Sequence, residues 1–114
     1  MTYEVIYSAD AERDFELIFD FLFESYVDFG ESSDSALSHA HQRLIDIHGD
    51  IEKLGKAPYC GTLHDVIAPG LRHVKLGRAI VWFDILEDAK NVRILAIFFG
   101  GQDHVRHMLA RLLQ

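Results

Sequence analysis

A chain of 114 residues, 49% of them hydrophobic and 11% aromatic, has material for one folded core and too little length for two, which excludes disorder. Its formal charge of −7 argues against a general nucleic-acid binder, but the charge is divided, with −11 on residues 1–52 and +4 on residues 53–114. No apolar run approaches the roughly 18–20 residues that span a bilayer, and MTYEVIYSADAERD lacks the layout of a signal peptide, so a cytoplasmic, membrane-free protein is expected.

Tyr3 to Tyr7 (YEVIY) is β-branched and aromatic, which predicts a short strand. Ser8 is a good N-cap, and Asp10 and Glu12 suit the positive end of a helix dipole, so a helix is expected from near Ala9. Its inward stripe reads Ala11, Phe15, Ile18, Leu22 and Tyr26, with Phe19 and Phe23 beside it. Leu17 and Phe21 fall on the opposite side, among Asp14, Glu24 and Asp28, where water is expected; apolar residues there signal either deep packing or a partner surface.

Turn chemistry at Phe29-Gly30-Glu31-Ser32-Ser33 separates this helix from a second one capped by Ser33 or Asp34. Leu37, Ala40, Leu44, Ile47, Ile51 and Leu54 recur along it at spacings of three and four, and Gly55 is placed to cap its end. A short loop between two such helices predicts an antiparallel hairpin lying on a sheet.

The sheet is expected from Pro69 onward: strands at Leu71 to Leu76, Ala79 to Ile85 and Asn91 to Phe99, reversed at Gly77-Arg78 and at Glu87 to Lys90. Both connections are too short for a parallel crossover, so these strands form an antiparallel meander. Gly100-Gly101 ends the last strand, and a short closing helix follows, with Val105, Met108, Leu109, Leu112 and Leu113 as its apolar positions. The fold class is thus α+β, in the order β-α-α-β-β-β, with a C-terminal helix and a single domain over 1–114.

Few residues suggest chemistry. Cys60, beside Pro58 and Gly61 in an expected turn, is read as a bystander, and neither His39/His41 nor His104/His107 sits within a metal-ligand motif. No GxSxG, GxGxxG or P-loop is present, so no cofactor or metal is expected. The remaining candidates are basic. Arg72, Lys75 and Arg78 lie on or just after one strand and Arg93 on another, with His73 and His104 near the strand ends; such a patch suits a phosphodiester, with a His as acid or base. The alternative is that these bases pair with the acids of the hairpin or line a wet sheet face.

The order of elements resembles the RelE/ParE superfamily of type II toxins over nearly the whole chain. The residues that carry the likeness are Ser8 to Asp14, similar to an S-x-x-A-x-x-D-L pattern; Leu54, Pro58 and Gly61; Pro69 to Arg72; the run Ile80 to Ile85; the strand Val92 to Ile97; and the turn Gly101-Gln102-Asp103-His104. The resemblance implies a toxin neutralised by a cognate antitoxin that wraps it, with Leu17, Phe21, Arg72 and Arg93 as candidate partner-binding residues. It also implies one of two targets. A ParE-like toxin poisons DNA gyrase by binding; a RelE-like toxin cleaves mRNA in the ribosome, for which the candidate catalytic residues are Arg72, Lys75, Arg78 and His104. Gln102 stands where a nuclease commonly has arginine, the last helix has no Tyr, and the acidic charge suits an RNA-filled site badly, so the ParE-like reading is preferred. A toxin-like binding module without activity is the third reading.

Overall fold

The structure is a computed structural model and describes residues 2–100 and 103–114. Strand β1 (Glu4–Tyr7) leads into helix α1 (Ala9–Asp28) and helix α2 (Ser33–Glu52), which ends in a 3₁₀ turn, Lys53–Gly55. Strands β2 (Thr62–Leu63), β3 (Arg72–Leu76), β4 (Ala79–Leu86) and β5 (Asn91–Phe99) follow, then helix α3 (His104–Leu112).

Both long helices begin where local chemistry dictates. Ser8 Oγ accepts from the Ala11 N–H at 3.1 Å, and Ser32 Oγ accepts from Ser35 N–H at 3.2 Å. The second cap is therefore Ser32, one residue before the expected Ser33 and two before Asp34. Gly55 does not cap α2 either. Its carbonyl accepts the Tyr3 N–H at 2.8 Å, and a Cβ on Gly55 would lie 2.5 Å from the Tyr3 carbonyl oxygen, so glycine is required by the close approach of β1.

The sheet has five strands in the order β1-β5-β4-β3-β2. Strands β3, β4 and β5 form the expected antiparallel meander, but β1 adds to β5 in parallel, Glu4 opposite Asn91, so the whole sheet is mixed. The helical hairpin is the crossover that makes a parallel pairing possible. The two-residue β2, pairing with β3 at Thr62–His73, had no readable pattern in the sequence.

One irregularity governs the rest. Trp82 faces Ala96 but Phe83 faces Ile94, leaving Leu95 as an extra residue in β5. Strict alternation would send Ile94 and Ile97 to opposite faces; the bulge puts both, with Val92, Val81 and Phe83, into the core beneath α1 and α2. A smaller second core, Leu71, Ile80, Trp82, Ala96 and Met108, lies on the other face under α3 and the 64–70 loop.

The helix stripes hold in their middles and drift at their edges. Ala11, Ile18 and Leu22 are buried on α1, whereas Phe15 and Tyr26 are half-buried. On α2 the buried set is Ala36, Ala40, Ile47 and Ile51, and Leu37 is 52% exposed, so the inward stripe begins at Ala36 and not at Leu37. On α3 only Met108 is buried; Val105, Leu109, Leu112 and Leu113 face outward. Asp14, expected to be wet, is 3% exposed. Among the described residues no helix is long and apolar enough to cross a membrane.

Candidate functional site

The strand pattern alone makes the bases of the sheet one patch. Tertiary structure distributes them over three environments. Arg93, opposite Asp84 across the β4–β5 ladder, is held by it through two bonds, Nε to Oδ1 at 3.0 Å and Nη2 to Oδ2 at 2.6 Å. That bidentate pairing holds the guanidinium above its usual pKa and occupies the face of Arg93 that a partner carboxylate would use. Arg72 donates from Nη1 to the Cys60 carbonyl at 3.2 Å and stacks over Tyr59 at 5.4 Å.

Lys75, Arg78 and His104 are brought together. With Ile80 and Gly100 they line a recess of about 340 Å³ on the α3 side of the sheet. Of the four catalytic candidates, Arg72 does not line it. Gln102, where the nuclease pattern has arginine, lies with Gly101 outside the described residues.

Beside this recess is a cluster that the sequence did not disclose. His64 Nε2 and His73 Nδ1 are 2.6 Å apart, and the rings of His64, His73 and His104 lie 4.8, 4.9 and 5.5 Å from the ring of buried Trp82. The β2–β3 pairing and the loop after it place His64 there, a juxtaposition with no sequence signal. Burial pushes the His73 and His104 pKa values down, and the neighbouring imidazoles add to the effect: His104 and His64 on His73, His64 on His104. A 2.6 Å nitrogen–nitrogen contact has room for one proton, so one of the two rings donates and the other accepts. Trp82 Nε1 and His104 Nδ1 are buried there without a hydrogen-bond partner among the described residues. No group of His, Cys, Asp or Glu among the described residues has the arrangement of a metal site.

The sheet's helix side offers a different surface. Leu17 and Phe21 are 52% and 55% exposed and stand over a groove of about 220 Å³ between α1 and β5, walled by Phe98 and Phe99 and floored by Ile18 and Ile97. One end is closed by Asp14 and Arg111. This is the surplus apolar face that the first helix pattern exposed, and no other part of the described chain covers it.

No protein-family model matches the chain, and no curated protein matches it significantly. Solved structures do share its fold. A chromosomal ParDE toxin–antitoxin system from P. aeruginosa superposes with a TM-score of 0.65 at 20% identity, covering 88% of this chain and 98% of that one. The free E. coli toxin RelE, as a double mutant, covers 100% of both chains with a TM-score of 0.55 at 9% identity. The toxin–antitoxin complex RelBE2 from Mycobacterium tuberculosis gives 0.51 at 15% identity, over 87% of this chain and 99% of that one. A helical hairpin on a β1-β5-β4-β3 sheet with a closing C-terminal helix, matched at this coverage, is the RelE/ParE superfamily fold, and this chain has it.

Proposed function

We propose that the chain is the toxin of a type II toxin–antitoxin pair, acting in the cytoplasm by binding DNA gyrase and neutralised by an antitoxin laid along the α1–β5 groove. The observation that carries this reading is the groove itself: two large apolar side chains, Leu17 and Phe21, stand half in water above a formed trough. Apolar side chains clustered in this way mark a partner surface. The kinship in fold with a ParDE system supports the choice of pair. Binding is preferred to cleavage because Arg93 and Arg72 are engaged within the chain, leaving few charges to stabilise a phosphoryl transition state.

The second reading, a ribosome-dependent endoribonuclease, is favoured by one observation, the convergence of Lys75, Arg78 and His104 on a single recess. Two measurements separate the readings. Purified protein at low molar ratio should block gyrase supercoiling, and mapping of message 5′ ends after brief induction should show no codon-phased cuts. Supercoiling untouched by excess folded protein, with phased cuts that vanish in Lys75→Ala, establishes the nuclease instead. Expression without growth arrest points to the inactive binding module.

A further inference from the structure

Arg43 is an anomaly of placement. It is one of two bases among the first 52 residues, where thirteen acids surround it, yet among the described residues it forms no ion pair. Half-buried on α2, it lines a cleft of about 540 Å³ between the loop end of the helical hairpin and the β3–β4 turn. Arg78, from that turn, lines the same cleft and is likewise unpaired among the described residues. The half-buried Arg43 guanidinium has lost hydration that an anion restores, and the exposed Arg78 on the same cleft can share a group with several acceptor oxygens.

The walls between them are aromatic. Phe21, Phe29 and Phe99 line the cleft, Phe29 with 89% of its surface exposed, and Arg78 lies over the Phe99 ring at 5.2 Å. No acid is among the described residues that line the cleft, and Glu31 is bound to other groups: its carboxylate accepts from Ser35 Oγ at 2.9 Å and meets His39 Nδ1 at 3.1 Å, while the His39 ring stacks on Tyr26 at 3.7 Å. The volume falls within the roughly 300–1,000 Å³ of small-molecule sites. Exposed π-faces beside paired guanidinium groups are the combination that holds a base by stacking and its phosphate by charge.

We infer that this cleft is a binding site for a nucleoside phosphate, with Arg43 and Arg78 on the phosphate and Phe29 and Phe21 against the base. It opens toward the helix side of the sheet, and Arg78 stands between it and the recess of Lys75 and His104, lining both. The shared chemistry is a phosphate joined to a planar base, supplied either by a free nucleotide or by a nucleotide within a single strand.

The test titrates the full chain by calorimetry with nucleoside 5′-monophosphates, the matching nucleosides, inorganic phosphate and a short single-stranded oligonucleotide. The expected result is that the monophosphate binds at least tenfold more tightly than either the nucleoside or phosphate. Arg43→Gln should weaken nucleotide and phosphate alike by tenfold or more, whereas Phe29→Ala, an exposed change that leaves the circular dichroism spectrum intact, should weaken the nucleotide several-fold and phosphate not at all. Affinity for the oligonucleotide well above that for the monophosphate assigns the strand as the source; equal affinity assigns the free nucleotide. The inference is overturned if the monophosphate binds no better than phosphate, if folded Arg43→Gln binds like the parent, or if an acidic aromatic peptide binds more tightly through the same arginines.

Discussion

Asp14 and Arg111, 97 residues apart, meet face to face: Oδ1 accepts from Nη2 at 2.6 Å and Oδ2 from Nη1 at 2.8 Å. The same Oδ2 accepts the Ile97 backbone N–H at 2.8 Å, two residues past the β5 bulge. One buried carboxylate therefore ties α1 to β5 and α3 together, and it closes the end of the groove beside Leu17. The aspartate of the S-x-x-A-x-x-D pattern is a structural joint, not a wet helix position.

Removing that joint is expected to cost more from the basic side than from the acid side. Breaking a buried ion pair by removing one partner typically costs about 3–5 kcal/mol, because the other charge is left buried and uncompensated. Arg111→Ala strands the buried Asp14 carboxylate with only its bond from the Ile97 N–H, and a loss of about 3 kcal/mol is expected. Asp14→Asn leaves a guanidinium that water reaches and should cost less. Urea unfolding of both variants and of the double mutant checks this; equal losses for the two single variants would refute it.

Stability should fall as pH is lowered from about 7.5 to 5. His73 and His104 have folded pKa values below the ordinary 6.5, so the unfolded state takes up protons first; stability is full above about 6.5 and declines as pH drops toward the folded values. The facing groups are imidazoles, and protonating both His64 and His73 sets two donors against each other at 2.6 Å. The Glu87 carboxyl, held down at about 2 chiefly by Lys90 and then by Tyr59 and Tyr3, stays ionised throughout this window and does not contribute to the decline. Thermal melts across the range should slope for the parent and flatten for His73→Phe.

Leu17→Asp with Phe21→Asp should leave folding nearly unchanged, both side chains being half in water already. Growth arrest should persist while neutralisation by the antitoxin is lost, since truncating central apolar anchors costs about 2 kcal/mol or more each, roughly a 30-fold loss of affinity per site. Retained neutralisation at parental antitoxin doses would show that the antitoxin binds elsewhere.

Gly55→Ala should destabilise by about 1–3 kcal/mol, the usual range for forcing atoms into a packed site. The new Cβ would sit 2.5 Å from the Tyr3 carbonyl oxygen and push β1 off its bond to the 3₁₀ turn. Gly49→Ala, on the same helix hairpin with nothing within 4 Å of its Cβ, should instead be neutral or mildly stabilising. Chemical denaturation of the two variants side by side tests the contrast.

What the amino-acid pattern determined is local. Helix lengths, the Ser8 cap, the Asn91–Phe99 strand, the two tight reversals and the surplus apolar pair Leu17 and Phe21 follow from spacing and turn chemistry within a few residues, because backbone bonding and face alternation are themselves short-range. What only tertiary structure decided is which polar groups find one another. Arg93 is taken by Asp84 through strand register, Asp14 is buried because Arg111 reaches it, and His64 joins His73 because a two-residue β2 pairs there. Arg43 and Arg78 share a cleft because the hairpin end closes over the β3–β4 turn. These contacts depend on chain closure over nine to 97 residues, for which no periodicity exists. Lys75, Arg78 and His104, legible as neighbours of one strand and its end, do share a recess, but the pairings that take Arg93, Asp14 and His64 were hidden in the sequence although the fold that builds them was legible.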